Sequence, residues 1–128
     1  MRVGIFGGTF DPIHNGHIVI AEAVKDQLNL AEIIFVPAGQ PWLKADWPIS
    51  PAQHRRAMLR LALAGKPCFK ISDAELERAG PSYTVDTVEE LRRKMGADAE
   101  LFFILGWDSL ATLPRWRDAS RLIRLCTL

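Results

Sequence analysis

Eleven consecutive residues near the start of the chain have the types and spacing that chemistry on an anion needs: Gly7-Gly8-Thr9-Phe10-Asp11-Pro12-Ile13-His14-Asn15-Gly16-His17. Adjacent glycines let a backbone approach a ligand with no side chain in the way. His14 and His17 are three apart, so on a helical turn they project from one side. An apolar run, Val3 to Phe6, precedes the segment, and a helix-like stretch, Ile18 to Leu28, follows it. A strand thus feeds a glycine-rich turn, and the turn feeds a helix. The free amides of the helix's first turn and the positive end of its dipole meet at that turn, a geometry that suits phosphate. There is no Gly-x-x-x-x-Gly-Lys-Ser/Thr, and Gly4, Gly7 and Gly8 do not make Gly-x-Gly-x-x-Gly. Both the P-loop and the dinucleotide fingerprint are therefore excluded.

The elements that must position this turn alternate along the chain. Val3–Phe6 reads as a continuous apolar strand of the kind buried on both faces of a parallel sheet. Ile18, Ala21, Val24 and Leu28 mark one face of the first helix. Ile33–Val36 is a second strand, stopped by Pro37, and residues 37–49 form a loop holding Trp42 and Trp47. Ser50 can cap the next helix, with Pro51 in its first turn and Gln53 closing a capping box. Ala57, Leu61 and Leu63 carry that helix to Gly65. Cys68–Ile71 is a short strand, and residues 73–82 are polar and irregular.

Thr84 can cap a helix from Val85 to Met95, with Val88 and Leu91 inward, acids early and bases late, the order that complements the dipole. Leu101–Leu105 is a strand ended by Gly106-Trp107-Asp108, followed by a short helix over Ser109–Leu113. Arg121–Ile123 is predicted helical, and Leu125–Leu128 reads as the start of another strand. This alternation predicts a Rossmann-like α/β fold, a three-layer α/β/α arrangement of one parallel sheet with helices on both faces and right-handed crossovers. Ligands in such sheets sit at the carboxyl ends of the strands. The glycine–histidine turn and Gly106-Trp107-Asp108 lie at such ends, and they converge if their strands are neighbours.

Length predicts one domain over residues 1–128, and 48% hydrophobic content suffices for a core. A net charge of +1 with interspersed signs gives no case for a nucleic-acid patch or an anionic membrane surface. No apolar run approaches membrane-spanning length, and the first strand starts at residue 3, so a cytoplasmic protein without a signal peptide is expected. Cys68 and Cys126 each sit in an apolar stretch and are expected to be buried reduced thiols. The chain stops inside the apolar Leu125-Cys126-Thr127-Leu128, an edge that would invite association, so a fold truncated at its C-terminus is expected.

The opening segment resembles the signature of the nucleotidylyltransferase superfamily, with its Gly-Gly-x-Phe-Asp-Pro start and His-x-Gly-His tetrad. Further blocks resemble the bacterial nicotinate-mononucleotide adenylyltransferase family. They are Val36-Pro37 with its loop, Ser50 to Leu59, Gly80-Pro81-Ser82-Tyr83-Thr84-Val85-Asp86-Thr87, and Phe103 to Leu110 followed by Trp116. The resemblance implies adenylyl transfer from ATP to nicotinate mononucleotide, giving nicotinate adenine dinucleotide and pyrophosphate. The attacking phosphate oxygen is already anionic, so the protein's work is positioning and charge neutralisation.

By the resemblance, amides of Gly8, Thr9 and Phe10 cradle phosphates, and His14 and His17 donate to phosphate oxygens. Gly106 and Asp108 belong to the ATP site, Asp108 as a ribose-hydroxyl acceptor or as a helix cap. Trp116 stacks the pyridine ring or is a core aromatic, and Tyr83 and Thr84 flank the nicotinate carboxylate or serve local capping and packing. Lys44 is a phosphate contact or a solvated lysine. Arg55 is a mononucleotide contact or an ordinary helix-surface charge. Mg²⁺ is expected with ATP, held by substrate oxygens and water because no carboxylate cluster is visible.

Two departures qualify the match. The family's Pro-His-Lys loop reads Pro41-Trp42-Leu43-Lys44 here, and the late Ser/Thr-rich motif ending in Arg has no counterpart after Trp116. Weak or no catalysis by the chain alone is therefore expected. The alternatives are another nucleotidylyltransferase, such as the phosphopantetheine enzyme, or a chain that binds nucleotide without reacting. Nicotinate against nicotinamide preference stays open, as does oligomeric state, a homo-oligomer included.

Overall fold

A computed structural model of the chain describes residues 1–39, 49–78 and 82–128, with Trp107 and Asp108 described by backbone only. Trp42, Lys44, Trp47, Gly80 and Pro81 lie outside the described residues. The strands are β1 (Arg2–Gly8), β2 (Glu32–Pro37), β3 (Phe69–Ile71) and β4 (Glu100–Ile104). The helices are α1 (Asn15–Leu28), α2 (Ala52–Leu63), α3 (Thr84–Met95), α4 (Trp107–Ala111) and α5 (Ala119–Leu125), with a 3₁₀ turn at Leu113–Arg115. All pairings are parallel and the strand order is β3-β2-β1-β4.

Alternation along each strand splits the core in two. Val3 and Ile5 of β1, Ile34 and Val36 of β2, and Leu101 and Phe103 of β4 face Val85, Val88 and Leu91 of α3 and Leu122 of α5. Phe6, Ile33, Phe35, Phe102 and Ile104 face the other way, against Ala21 of α1 and Leu59 and Leu63 of α2. The apolar runs read as buried on both faces are so, and the three-layer α/β/α arrangement follows from that double burial.

Several local expectations are corrected. Ser50 does not cap α2: the cap position is Pro51, with no side-chain cap bond, and the Ser50 amide donates to Asp11 Oδ2 at 2.8 Å. Thr84 does not cap α3 but is its first residue, after Tyr83 at the cap position. Leu61 is 78% exposed, and the inward face of α2 is Arg55, Leu59 and Leu63. Cys68 is exposed because its position precedes β3, whereas Cys126 is buried and its thiol is pushed up to about 11 by that burial. The helix expected at Arg121–Ile123 runs from Ala119 to Leu125, and beyond it only Thr127 pairs, as an isolated parallel bridge to Phe102.

Order β3-β2-β1-β4 means that the chain moves outward from β1 in one direction and then returns to its other side. The crevice of such a sheet opens at that reversal, between β1 and β4, above their carboxyl ends. The glycine–histidine turn leaves β1 there, and Gly106 leaves β4 beside it. Among the described residues, no helix is long and apolar enough to cross a membrane.

Candidate active site

A cavity of about 490 Å³ opens at the reversal. Gly8, Thr9, Phe10, His14, His17, Thr84, Gly106 and Trp116 all line it, so segments far apart in sequence meet as anticipated. Asp108 is the second residue of α4, behind the cap residue Gly106.

The wall made by β1 and α1 is tightly built. His14 is the cap residue of α1, with an extended backbone, and its Nδ1 accepts the Gly16 amide at 3.1 Å. His17 Nδ1 accepts the His14 amide at 3.0 Å. Two imidazoles thus make the reciprocal cap that Ser/Thr and Glu/Gln usually make. Their rings stack at 3.9 Å between centroids. A ring nitrogen that accepts carries no proton, so each neutral ring holds its proton on Nε2, as a donor available to a ligand. A Cβ on Gly16 would lie 2.9 Å from the His14 Cε1 and Nδ1, so the close approach requires glycine.

Burial, and then the neighbouring His14, hold the His17 pKa below the ordinary 6.5. At neutral pH His17 is therefore an uncharged donor. Beneath it lies Phe10, 2% exposed, its ring edge-on to His17 and to Phe6. The Phe10 backbone has φ 49°, a left-handed conformation that non-glycine residues rarely adopt and that its packed ring holds in place.

Arg55 is neither a helix-surface charge nor a cavity-lining residue. It is 1% exposed, under the glycine turn. Its Nε donates to Ser50 O at 2.9 Å, and its Nη1 to Thr9 O at 3.0 Å and Ala38 O at 2.6 Å. Burial pushes the guanidinium pKa down and the Asp11 carboxylate pushes it back up. The Ser50 bonds hold Asp11 itself below the usual carboxylate range, helped by the Arg55 charge.

The opposite wall is assembled from α3, α4 and the 3₁₀ turn. Tyr83, at the cap position of α3, makes no side-chain cap bond, and the cap position of α4 is Gly106. The first amides of any helix lack i−4 partners within it, and the start of α3 places such amides beside Thr84. Ser82 is 6% exposed, and its hydroxyl has no partner among the described residues. The Trp116 Nε1 donates to Thr112 Oγ1 at 3.0 Å, and its ring meets Phe103 edge-on. Tyr83 does not line the cavity, and the Arg117 guanidinium lies 4.8 Å above its ring.

Sequence reasoning missed Glu75 and Thr87, which also line the cavity. The Thr87 hydroxyl donates to Glu75 Oε2 at 2.8 Å and accepts from Arg78 Nη1 at 3.1 Å. Burial raises the Glu75 pKa, and Thr87 and Arg78 pull it back. Thr87 was findable, one helical turn beyond Thr84; Glu75 lies in an irregular stretch with no periodicity to mark it. Among the described residues, no group of three or more His, Cys, Asp or Glu side chains could hold a metal ion.

The family model described as cytidylyltransferase-like matches residues 5–128. The chain belongs to that family. Curated relatives of this cytidylyltransferase-like chain carry the name "Probable nicotinate-nucleotide adenylyltransferase". One from Dehalococcoides mccartyi is 56% identical over 128 residues, covering all of this chain and 63% of the relative. One from Thermomicrobium roseum is 53% identical over 127 residues, covering 99% of this chain and 59% of the relative. The chain thus spans about three-fifths of the length of these relatives. Among solved structures, Plasmodium falciparum nicotinic acid mononucleotide adenylyltransferase complexed with NaAD superposes with a TM-score of 0.81 at 20% identity, over 95% of this chain and 60% of that one. The same protein complexed with APC gives 0.77, also at 20% identity, over 95% of this chain and 59% of that one. At this identity the likeness establishes the fold.

Proposed function

We propose that this chain carries the nucleotide-binding face of an adenylyltransferase that joins ATP and nicotinate mononucleotide, releasing pyrophosphate and nicotinate adenine dinucleotide. The observation that carries the reading is the paired-imidazole cap, which gives both rings a donor Nε2 at the cavity, beside the start of α1. The mononucleotide's phosphate oxygen attacks the α-phosphorus of ATP, a bond to that phosphorus forms, and the bond to the β,γ-bridged leaving group breaks. No protein nucleophile is needed. His14, His17 and the amides of Gly8, Thr9 and Phe10 neutralise charge on the α-phosphate under attack and on the departing pyrophosphate.

The second wall suits the acidic base. The first amides of α3, beside Thr84, match a carboxylate, and Trp116 matches a flat ring. The names of the relatives support this choice of substrates. Asp108 is assigned to ribose and Lys44 to phosphate. Mg²⁺ fits as an ion that arrives on the triphosphate and keeps water and phosphate oxygens as ligands, since the cavity's own acids, Asp11 and Glu75, are not a cage. When bound it neutralises triphosphate charge.

Calorimetry with ATP and the mononucleotide, beside a pyrophosphate-release assay, tests the reading. Nicotinate mononucleotide, nicotinamide mononucleotide and phosphopantetheine serve as acceptors, with this chain and a full-length relative as enzymes. Product from the nicotinate substrate by the relative, and ATP binding by both, are expected. ATP binding without turnover by either protein would make this a binding module. Preference for phosphopantetheine would reassign the substrate.

A further inference from the structure

We infer that Arg55 is a positioning residue that aims the amides of the glycine turn at the phosphates, and not a residue that touches substrate. This rests on the adenylyl-transfer reading, because it supposes an anion at that turn. The guanidinium accounts for three carbonyls from three segments: Thr9 in the turn, Ala38 just past β2, and Ser50 at the entry to α2. A trans peptide is planar, so its N–H points opposite to its C=O. Thr9 O is drawn down onto Arg55, so the Phe10 N–H is turned away from Arg55. Gly8 O accepts the Ala38 amide at 2.8 Å, which turns the Thr9 N–H away from β2 by the same rule.

Of the three amides assigned to phosphate, those of Thr9 and Phe10 are thus oriented by what their neighbouring carbonyls bind, and Arg55 holds one of those carbonyls directly. It also bonds the Ala38 carbonyl while the Ala38 amide holds Gly8, so both peptides are tied to one buried plane. Asp11 closes the arrangement from the other side through the Ser50 amide. Lysine could keep the charge, but an ammonium on a flexible stem cannot place donors on these carbonyls as one rigid planar group does.

The test uses the ¹⁵N-labelled chain, inorganic pyrophosphate as probe, and Arg55→Lys. In the unaltered chain, pyrophosphate should shift the Thr9 and Phe10 amide resonances and also the Arg55 Nε–H, although Arg55 does not line the cavity. In Arg55→Lys, the pyrophosphate Kd should rise about tenfold, the value of one charge-assisted hydrogen bond or more. The Phe10 shift should vanish while β3 amides keep their positions, a pattern that general loss of stability does not produce. A folded Arg55→Lys with unchanged Kd and an intact Phe10 shift overturns the inference. If that variant does not fold, the unaltered chain decides: an Arg55 Nε–H that ignores pyrophosphate overturns it, and one that moves supports it. If Thr9 and Phe10 do not respond even in the unaltered chain, the anion-binding reading falls with it.

Discussion

The two walls of the cavity are built on opposite principles. The β1–α1 wall is saturated: His14 and His17 cap each other's helix turn, Phe10 is locked under them, and Arg55 binds three carbonyls beneath. The α3–α4 wall is less bound up, with no side-chain cap bond at the head of α3 and a buried Ser82 hydroxyl that has no partner among the described residues. A wall that must stabilise developing charge works best when its donors are fixed beforehand, since reorganisation during reaction costs catalysis. A wall that recognises a base can leave helix-end donors free, because the ligand supplies their partners.

The contrast can be broken most directly at the imidazoles. Replacing both His14 and His17 with alanine in a full-length relative, at the matching positions, should lower turnover by about 100-fold or more, as loss of preorganised donors does. Pyrophosphate release measures it, and an unchanged velocity would remove the first wall's role. Trp116→Ala probes the other wall. It should weaken mononucleotide binding about tenfold, within the ~1–3 kcal/mol worth of base–aromatic stacking, and leave ATP affinity alone. Calorimetry with each ligand separately checks the split, and equal losses for both would erase the distinction between the walls.

Gly16→Ala sharpens the claim of saturation. Alanine favours a helix over glycine by about 1 kcal/mol, and loss of the His14 cap bond costs about as much, so stability should change little. The new Cβ meets the His14 ring at 2.9 Å, so the ring must shift and anion affinity should fall several-fold. Thermal melting and pyrophosphate titration together read the two effects, and retained affinity would show that the ring position is not critical.

The smallest effect is on pH dependence. The His17 pKa is below 6.5 in the fold, so the unfolded chain takes up the proton first as pH falls. This contribution to stability is present above 6.5 and is lost as pH drops through the lower folded value. His17→Gln, which can still close the cap, should flatten the melting-temperature profile across that window. Identical profiles would place His17 in open solvent.

Several of these features could not be read along the chain. The helix-cap pattern at Ser50 was legible but wrong, because the helix begins a residue later, with Pro51 at the cap position, while Ser50 is turned to Asp11, 39 positions away. The cap at α1 was invisible, since histidine is not among the usual capping residues; only two rings stacked on one turn make it work. Arg55 reads as a surface charge on an amphipathic helix until the turn after β1 and the end of β2 close over it. Glu75 enters the cavity from a segment with no period at all.

By itself, the sequence determined what local chemistry can encode: apolar runs buried on both faces, their alternation with helices, and a glycine–histidine turn whose three-residue spacing puts two rings on one side. These depend on neighbours a few residues apart, so they are readable without a fold. The tertiary structure alone decided which carbonyls a buried guanidinium would satisfy, and that β4 returns beside β1 to make a cavity. Those choices depend on desolvation and on partners dozens of residues apart, which no local pattern carries.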